Sequence, residues 1–333
     1  MEHFISNSLD ISRKKLSELC NSKHGFKLQL FWTSEAYGFG KYIRKYGYYP
    51  NFLPLAIYNE HGVGSVVDNP FKHELESYAP VMLYHSPEAV RIWKKFSKKP
   101  CYTFYSPFVF YRRTNKIVQD RDAIGTIVFP DHSIPSMDEV SDTQAYIDQL
   151  KNLPEKFQPI SACLHFQDIR IGRHEIYLKN NIPVYSAGDD FNLFIERFYE
   201  ILRKFKYASS NQVGSSLFYA VEMGVPFFVY GNKAENINKS DPNYPLGKLT
   251  DYENSEFHQT LDRIFSGFDC EINIKKREIV ERNLGIYDGI SRKKMAYVLY
   301  SSLLKLFFYK SFYRDIGGRL IREIKALVYN EKK

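Results

Sequence analysis

Short apolar runs ending in small or polar residues alternate along this chain with stretches whose apolar residues recur every three or four positions. In the first third, FKLQLFW (26–32), FLPLAIYNEHGVG (52–64), APVMLYHS (79–86) and CYTFYSPFVFY (101–111) predict strands. DISRKKLSEL (10–19), the stretch opened by TSEAYGFG, and the residues after Pro87 predict helices, Pro87 suiting a first helical turn. After the charged RRTNKIVQDRDA (112–123) the pattern restarts. IGTIVFPDHS (124–133), PISACLHFQD (159–168), IPVYSAG (182–188), YASSN (207–211) and VPFFVYG (225–231) predict strands. MDEVSDTQAYIDQLKNLP (137–154), HEIYLKNN (174–181), DFNLFIERFYEILRKF (190–205) and SSLFYAVEMG (215–224) predict helices, with Asp189–Asp190 as an N-cap and Gly224 as a C-cap. The polar stretch 233–255 predicts a surface loop, and helices fill the remainder.

Strands alternating with helices imply parallel sheets covered on both faces. The expected fold is α/β, with two Rossmann-like domains at 1–120 and 121–290 facing a cleft. Basic amphipathic helices at 291–333 are expected to pack back in part on the first domain. Ligands of such sheets bind outside the carboxyl ends of the strands, so the cleft is the expected site.

A length of 333 residues fits two domains, and 44% hydrophobic with 25% charged residues is an ordinary globular balance. The 26 Tyr and 26 Phe suffice for two cores and also for sugar- or base-stacking surfaces. Cys20, Cys101, Cys163 and Cys270 are widely spaced, which argues against a zinc site or disulfide framework and for reduced thiols. MEHFISNSLDISRKK has no apolar core of a secretory signal, and no run is apolar enough to predict a membrane span, so a cytoplasmic protein is expected. Residues 291–333 hold eleven Lys and Arg against three Asp and Glu, the chain's entire surplus of +8. A neutral body argues against nucleic acid as a partner. The basic end reads either as a solvated helix or as a contact with an anionic membrane surface, through Lys310, Arg314, Arg319, Arg322 and Lys325.

The most pointed motif is SSNQVGSSLFYAVEMG (209–224). Ser215 and Ser216 at a helix start, with Gly214 before them, offer backbone N–H groups, hydroxyl donors and a favourable dipole to an anion. An ordinary capped helix would use the same residues. No GK[ST] follows, so this is not a P-loop. The chain also has no GxSxG elbow, no HExxH and no GxGxxG.

A Ser-rich turn, then a helix of the form SSxxFYAxxxGxP, then an apolar strand resembles the nucleotide-binding segment of GT-B glycosyltransferases. It is most similar to bacterial enzymes that use CMP-activated sugars, the sialyltransferases and Kdo transferases, and is also similar to teichoic acid polymerases, which use CDP-activated polyols. The similarity spans roughly residues 124–231. It implies that Ser215 and Ser216 contact the nucleotide's phosphate, with Ser210, Asn211 and Gly214 beside them. It also implies that His132 and Ser133 of FPDHS stand where the family has a His-Pro motif for the nucleotide, with Ser in place of Pro. His132 reads equally as a loop residue capping the next helix. His85, His165 and Asp168 are candidate cleft-lining residues at strand ends.

YNEHGVG (58–64) combines the acidic turn of CMP-sugar transferases with the His-Gly turn of the polyol-phosphate polymerases. Glu60 or His61, or else Glu35 in the first loop, is the candidate base for an acceptor hydroxyl; each reads alternatively as a turn or cap residue. The resemblance thus implies an inverting glycosyltransferase needing no metal or bound cofactor, with a CMP-linked nucleotide sugar as co-substrate. Its acceptor would be a glycan or lipid-linked glycan of the cell surface, such as capsule or lipopolysaccharide. It would sit in the cytoplasm, at the inner face of the membrane. The alternatives are transfer of a polyol phosphate from a CDP donor, and a non-catalytic glycan- or nucleotide-binding protein of the same fold.

Overall fold

The computed structural model describes residues 9–22, 29–64, 68–242, 244–249, 255–268 and 271–308. Two parallel sheets organise them. In the first, β1 (Tyr58–Asn59), β2 (Met82–Tyr84) and β3 (Cys101–Thr103) lie in chain order, with Tyr58 opposite Met82 and Met82 opposite Cys101. The second takes β4 (Thr126–Val128), β6 (Ile160–Cys163), β7 (Val184–Tyr185), β8 (Tyr207–Ser210) and β9 (Phe227–Val229) in the order β7-β6-β4-β8-β9. Strands β4, β6 and β9 are buried along their length, as a parallel sheet covered on both faces requires.

A third, antiparallel sheet joins β5 (Met137–Val140), β10 (Glu235–Asn238) and β11 (Gly247–Lys248), with Asn236 opposite Glu139. This corrects two expectations. Residues 137–140 are a strand, not the start of a helix, and helix begins only at Thr143, where the Asp142 carboxylate accepts from the Ala145 N–H at 2.9 Å. The 233–255 stretch carries two strands rather than a plain loop. Strand also ends early at Thr103, because Ser106 and Pro107 start the Pro107–Thr114 helix. Of the expected strand at 26–32, residues 26–28 lie outside the described residues and Trp32 opens a short helix. Asp189 is no N-cap: its carboxylate accepts from Arg170 at 2.5 Å and from the Ser22 N–H, and the helix starts at Phe194.

One hydrophobic cluster runs through both halves. The Phe108 ring stacks on Tyr219 at 4.0 Å with an interplanar angle of 3°. Beside that stack the buried Glu222 carboxylate is gripped by Arg112 through two 2.6 Å bonds and by Arg113 at 2.8 Å. The Pro107–Thr114 helix is thereby tied to the Ser215–Met223 helix. The Arg292–Leu306 helix returns to the first half: Arg292 donates to the carbonyls of Tyr46 and Lys45, and an added Cβ at Gly47 would strike Leu299 and Met295. Cys20, Cys101 and Cys163 are free and buried; Cys270 lies outside the described residues. Among the described residues no helix is long and apolar enough to cross a membrane.

Candidate active site

In the five-stranded sheet the chain runs from β4 to β6 and β7 on one side, then crosses to β8 and β9 on the other. The order reverses between β4 and β8, and a crevice opens at such a switch point beyond the strand ends. The two loops that leave there are Phe129–Ser133 and Asn211–Gly214. Asn211 stitches the frame. Its Oδ1 accepts from the Asp131 N–H at 2.9 Å, and its Nδ2 donates to the Asn232 carbonyl at 3.2 Å. Ser210 Oγ accepts from the Gln212 N–H at 3.2 Å. Both residues are buried, and these atoms shape the crevice rather than face it.

The Ser215–Met223 helix starts at the crevice. Gly214 is its N-cap in extended conformation and supplies no side-chain cap, while Gly224 closes the other end at φ 95°. A Cβ built at Gly214 would meet nothing within 4 Å, so open space lies before the helix. Ser215 Oγ accepts from the backbone N–H of Val63 at 2.9 Å, which leaves its own proton for another acceptor. Ser216 is half-buried at the next position.

That bond brings in the turn after β1. Glu60 Oε2 accepts from the His85 N–H at 2.9 Å and lies 3.2 Å from His85 Nδ1. Both residues are buried, and the His85 ring packs 4.3 Å from Phe104 and 5.8 Å from Phe39. His85 therefore backs Glu60 and does not line the crevice, a correction to the expectation from its strand-end position. His61, next in the turn, is half-buried with its ring 4.6 Å from Trp32. Burial, helped by neighbouring His73, lowers its pKa to about 4. It is a neutral imidazole near pH 7, able to accept a proton.

On the other side of the switch point, the His132 ring stacks on His165 at 4.1 Å. His165 caps the Phe166–Arg170 helix, its Nδ1 accepting from the Gln167 N–H at 3.3 Å. Burial and the adjoining His132 push its pKa well below the ordinary histidine value. Ser133 Oγ accepts from the Glu139 N–H at 3.0 Å, and its own N–H points to Asp168 Oδ1 at 3.4 Å. Burial raises the Asp168 pKa to about 7. Arg173 lies 3.8 Å from that carboxylate but is turned to Glu139, with which it pairs more closely.

Glu35 is not brought to this constellation. Its carboxylate is buried against Arg44, with bonds of 2.5 and 3.1 Å, and it holds the first loop to the Phe39–Tyr46 helix. The expectation that it serves as a base is corrected on that ground: both carboxylate oxygens are engaged by the buried guanidinium and do not face the crevice. The same loop supplies a residue that the sequence did not single out. Tyr37 adopts φ 51°, a left-handed backbone uncommon outside glycine, and its hydroxyl comes within 3.5 Å of His165 Nε2. Its signal was the run AYGFG, where a tight turn sits before a helix. Among the described residues no group of three or more His, Cys, Asp or Glu side chains is disposed to hold a metal ion.

No protein-family model matches the chain, and no curated protein matches it by sequence. Among solved structures it is similar to the GtfA/B complex, at 12% identity over 75% of this chain and 52% of that one, with a TM-score of 0.33. It is also similar to the wall teichoic acid polymerase TagF, at 12% identity over 72% of this chain and 59% of that one, with a TM-score of 0.31. The chain thus spans little more than half the length of these structures.

Proposed function

We propose that the chain is a glycosyltransferase moving a sugar from a nucleotide donor, a CMP-sugar, to a glycan acceptor. One observation carries the reading: the Val63–Ser215 bond sets the Glu60–Gly64 turn against an uncapped helix N-terminus at the sheet's switch point. An anion site and a proton acceptor then share one crevice. The donor phosphate sits before Ser215 and Ser216, where N–H groups, hydroxyls and the helix dipole stabilise charge. His61 takes the acceptor hydroxyl's proton as that oxygen attacks the anomeric carbon. The bond from that carbon to the phosphate oxygen breaks, its electrons leave with CMP, and the helix N-terminus stabilises the departing charge. Buried Glu60 positions the turn through His85.

Transfer of a polyol phosphate from a CDP donor uses the same anion site and breaks a P–O bond instead. That the half-buried residue of the turn is a histidine, with the carboxylate of Glu60 fully buried behind it, supports that second reading. A thermal-shift series with CMP, CDP, UDP and GDP on wild type and Ser216→Ala tests the site. A nucleotide at about a hundred times its Kd stabilises by about 2.7 kcal/mol. The expected result is stabilisation by CMP that Ser216→Ala reduces. Stabilisation by UDP or GDP alone discards the CMP donor, and no shift with any nucleotide discards the site. His61→Asn then separates an enzyme from a binding protein: it lowers turnover roughly 10²–10⁴-fold and leaves nucleotide affinity unchanged.

A further inference from the structure

The Arg292–Leu306 helix carries apolar or aromatic residues on two faces. Met295, Val298, Leu299 and Leu306 are buried against the first half of the chain. On the opposite face Tyr297, Tyr300 and Leu304 follow one another at helical spacing, and Phe308 continues the stripe just past the helix. Leu304 is 64% exposed and Phe308 88%. A row of tyrosine, leucine and phenylalanine side chains left in solvent calls for a partner. The stripe is broadened by the turn beside it, where the Tyr49 ring lies 4.9 Å from Tyr300 and Tyr48, whose carbonyl accepts from the Tyr300 hydroxyl at 3.5 Å, is 62% exposed.

The charges around this patch name its partner. Residues 289–308 contain Arg292, Lys293, Lys294 and Lys305 and no Asp or Glu. Exposed Lys293 and Lys305 lie at opposite ends of the stripe. Aromatic rings and leucine framed by cations, with no anion among them, complement a surface that is apolar beneath a negative layer. We infer that this face docks on an anionic lipid bilayer, with Leu304 and Phe308 entering the headgroup–acyl boundary and Lys293 and Lys305 meeting lipid phosphates. Tyrosines suit the boundary because the ring is apolar and the hydroxyl stays wet. The inference is independent of the reaction proposed above.

Co-sedimentation of the full chain with vesicles tests it. Phosphatidylcholine vesicles are compared with vesicles of phosphatidylcholine and phosphatidylglycerol, for wild type, Leu304→Ser/Phe308→Ser and Lys293→Glu/Lys305→Glu. All four positions are exposed, and an unchanged melting curve verifies the fold of each variant. The expected result is binding to the anionic vesicles only, weakened at least about tenfold by either pair and lowered by salt. Failure of the wild type to bind overturns the inference. So does binding that both variants retain, which would move the contact elsewhere in the chain. Sedimentation velocity supplies the third outcome: a dimer that the Leu304→Ser/Phe308→Ser variant dissociates, without vesicle binding, gives the face to a second copy.

Discussion

The Ser215 hydroxyl accepts a 2.9 Å hydrogen bond from the backbone N–H of Val63, although 152 positions separate the two residues. The bond joins the turn after the first strand of one sheet to the helix that follows the fourth parallel strand of the other. Tyr37 and His165 make a second crossing at 3.5 Å. The carboxyl ends of both sheets therefore meet in one crevice, with its polar groups already tied to one another. A helix start that is held in this way keeps its N–H groups aimed without a ligand to order them.

Ser215→Ala and Ser216→Ala should consequently behave differently. The first strands a half-buried backbone donor, so it is expected to lose about 1 kcal/mol of stability without any ligand. The second removes a hydroxyl for which no such bond exists and is expected to stay within about 0.5 kcal/mol. Urea melts of the two variants check the order. Equal effects would mean that the Val63 bond contributes nothing to holding the halves together.

His61 should give the reaction a pH profile without a limb near the ordinary histidine value. Its lowered pKa of about 4 keeps it unprotonated, hence competent as a base, throughout pH 5.5–8. The value of kcat/KM is expected to be flat on the acid side and to fall only as pH approaches 4, with His61→Asn costing roughly 10²–10⁴. CMP release followed from pH 5 to 8 is the measurement. An acid limb near 6.5 would place the base on a histidine that is not desolvated.

Glu35 should prove structural. Removing it as Glu35→Ala leaves the Arg44 guanidinium buried beside an empty carboxylate position, a loss that runs to about 3–5 kcal/mol for a buried pair. Activity per folded molecule is expected to survive, and activity measured against the folded fraction from melting curves decides it. A loss of activity in fully folded protein would return Glu35 to the catalytic group.

The alternation of apolar runs and amphipathic stretches made the parallel strands legible, because their buried β-branched and aromatic residues leave a continuous apolar signal. It failed at 137–140 and 235–248, where strands are antiparallel, half-exposed and built from MDEV, ENIN and GK. Those segments are strands because they pair with one another, a tertiary cause that no local propensity records. Of the candidate site, residue type after strand ends reached Glu60, His61, His132 and Ser215, which the fold places in the segments that follow β1, β4 and β8. The partners of those residues were not. Arg44 took Glu35 out of the site and Glu60 claimed His85, since a carboxylate's role depends on which cation or donor the fold brings to it.

Asp168 supplies a test of the crevice floor through stability. Its carboxyl is buried and is met by the Ser133 N–H at 3.4 Å, while the Arg173 guanidinium 3.8 Å away is held to Glu139. Desolvation therefore outweighs attraction, and the pKa rises from 3.8 to about 7. The folded protein binds this proton more tightly than the unfolded chain does. The stabilising contribution is full below about pH 3.8 and is lost as pH rises through 7. Between those limits stability from this group falls with pH, by a few kcal/mol in order of magnitude. Asp168→Asn keeps an acceptor oxygen for the Ser133 N–H and cannot ionise. The variant is expected to gain on wild type as pH rises, melting further above it at pH 8 than at pH 5. Melting curves at both values check the difference. A gap that does not widen with pH would mean that Arg173 turns to Asp168 in solution and holds it ionised.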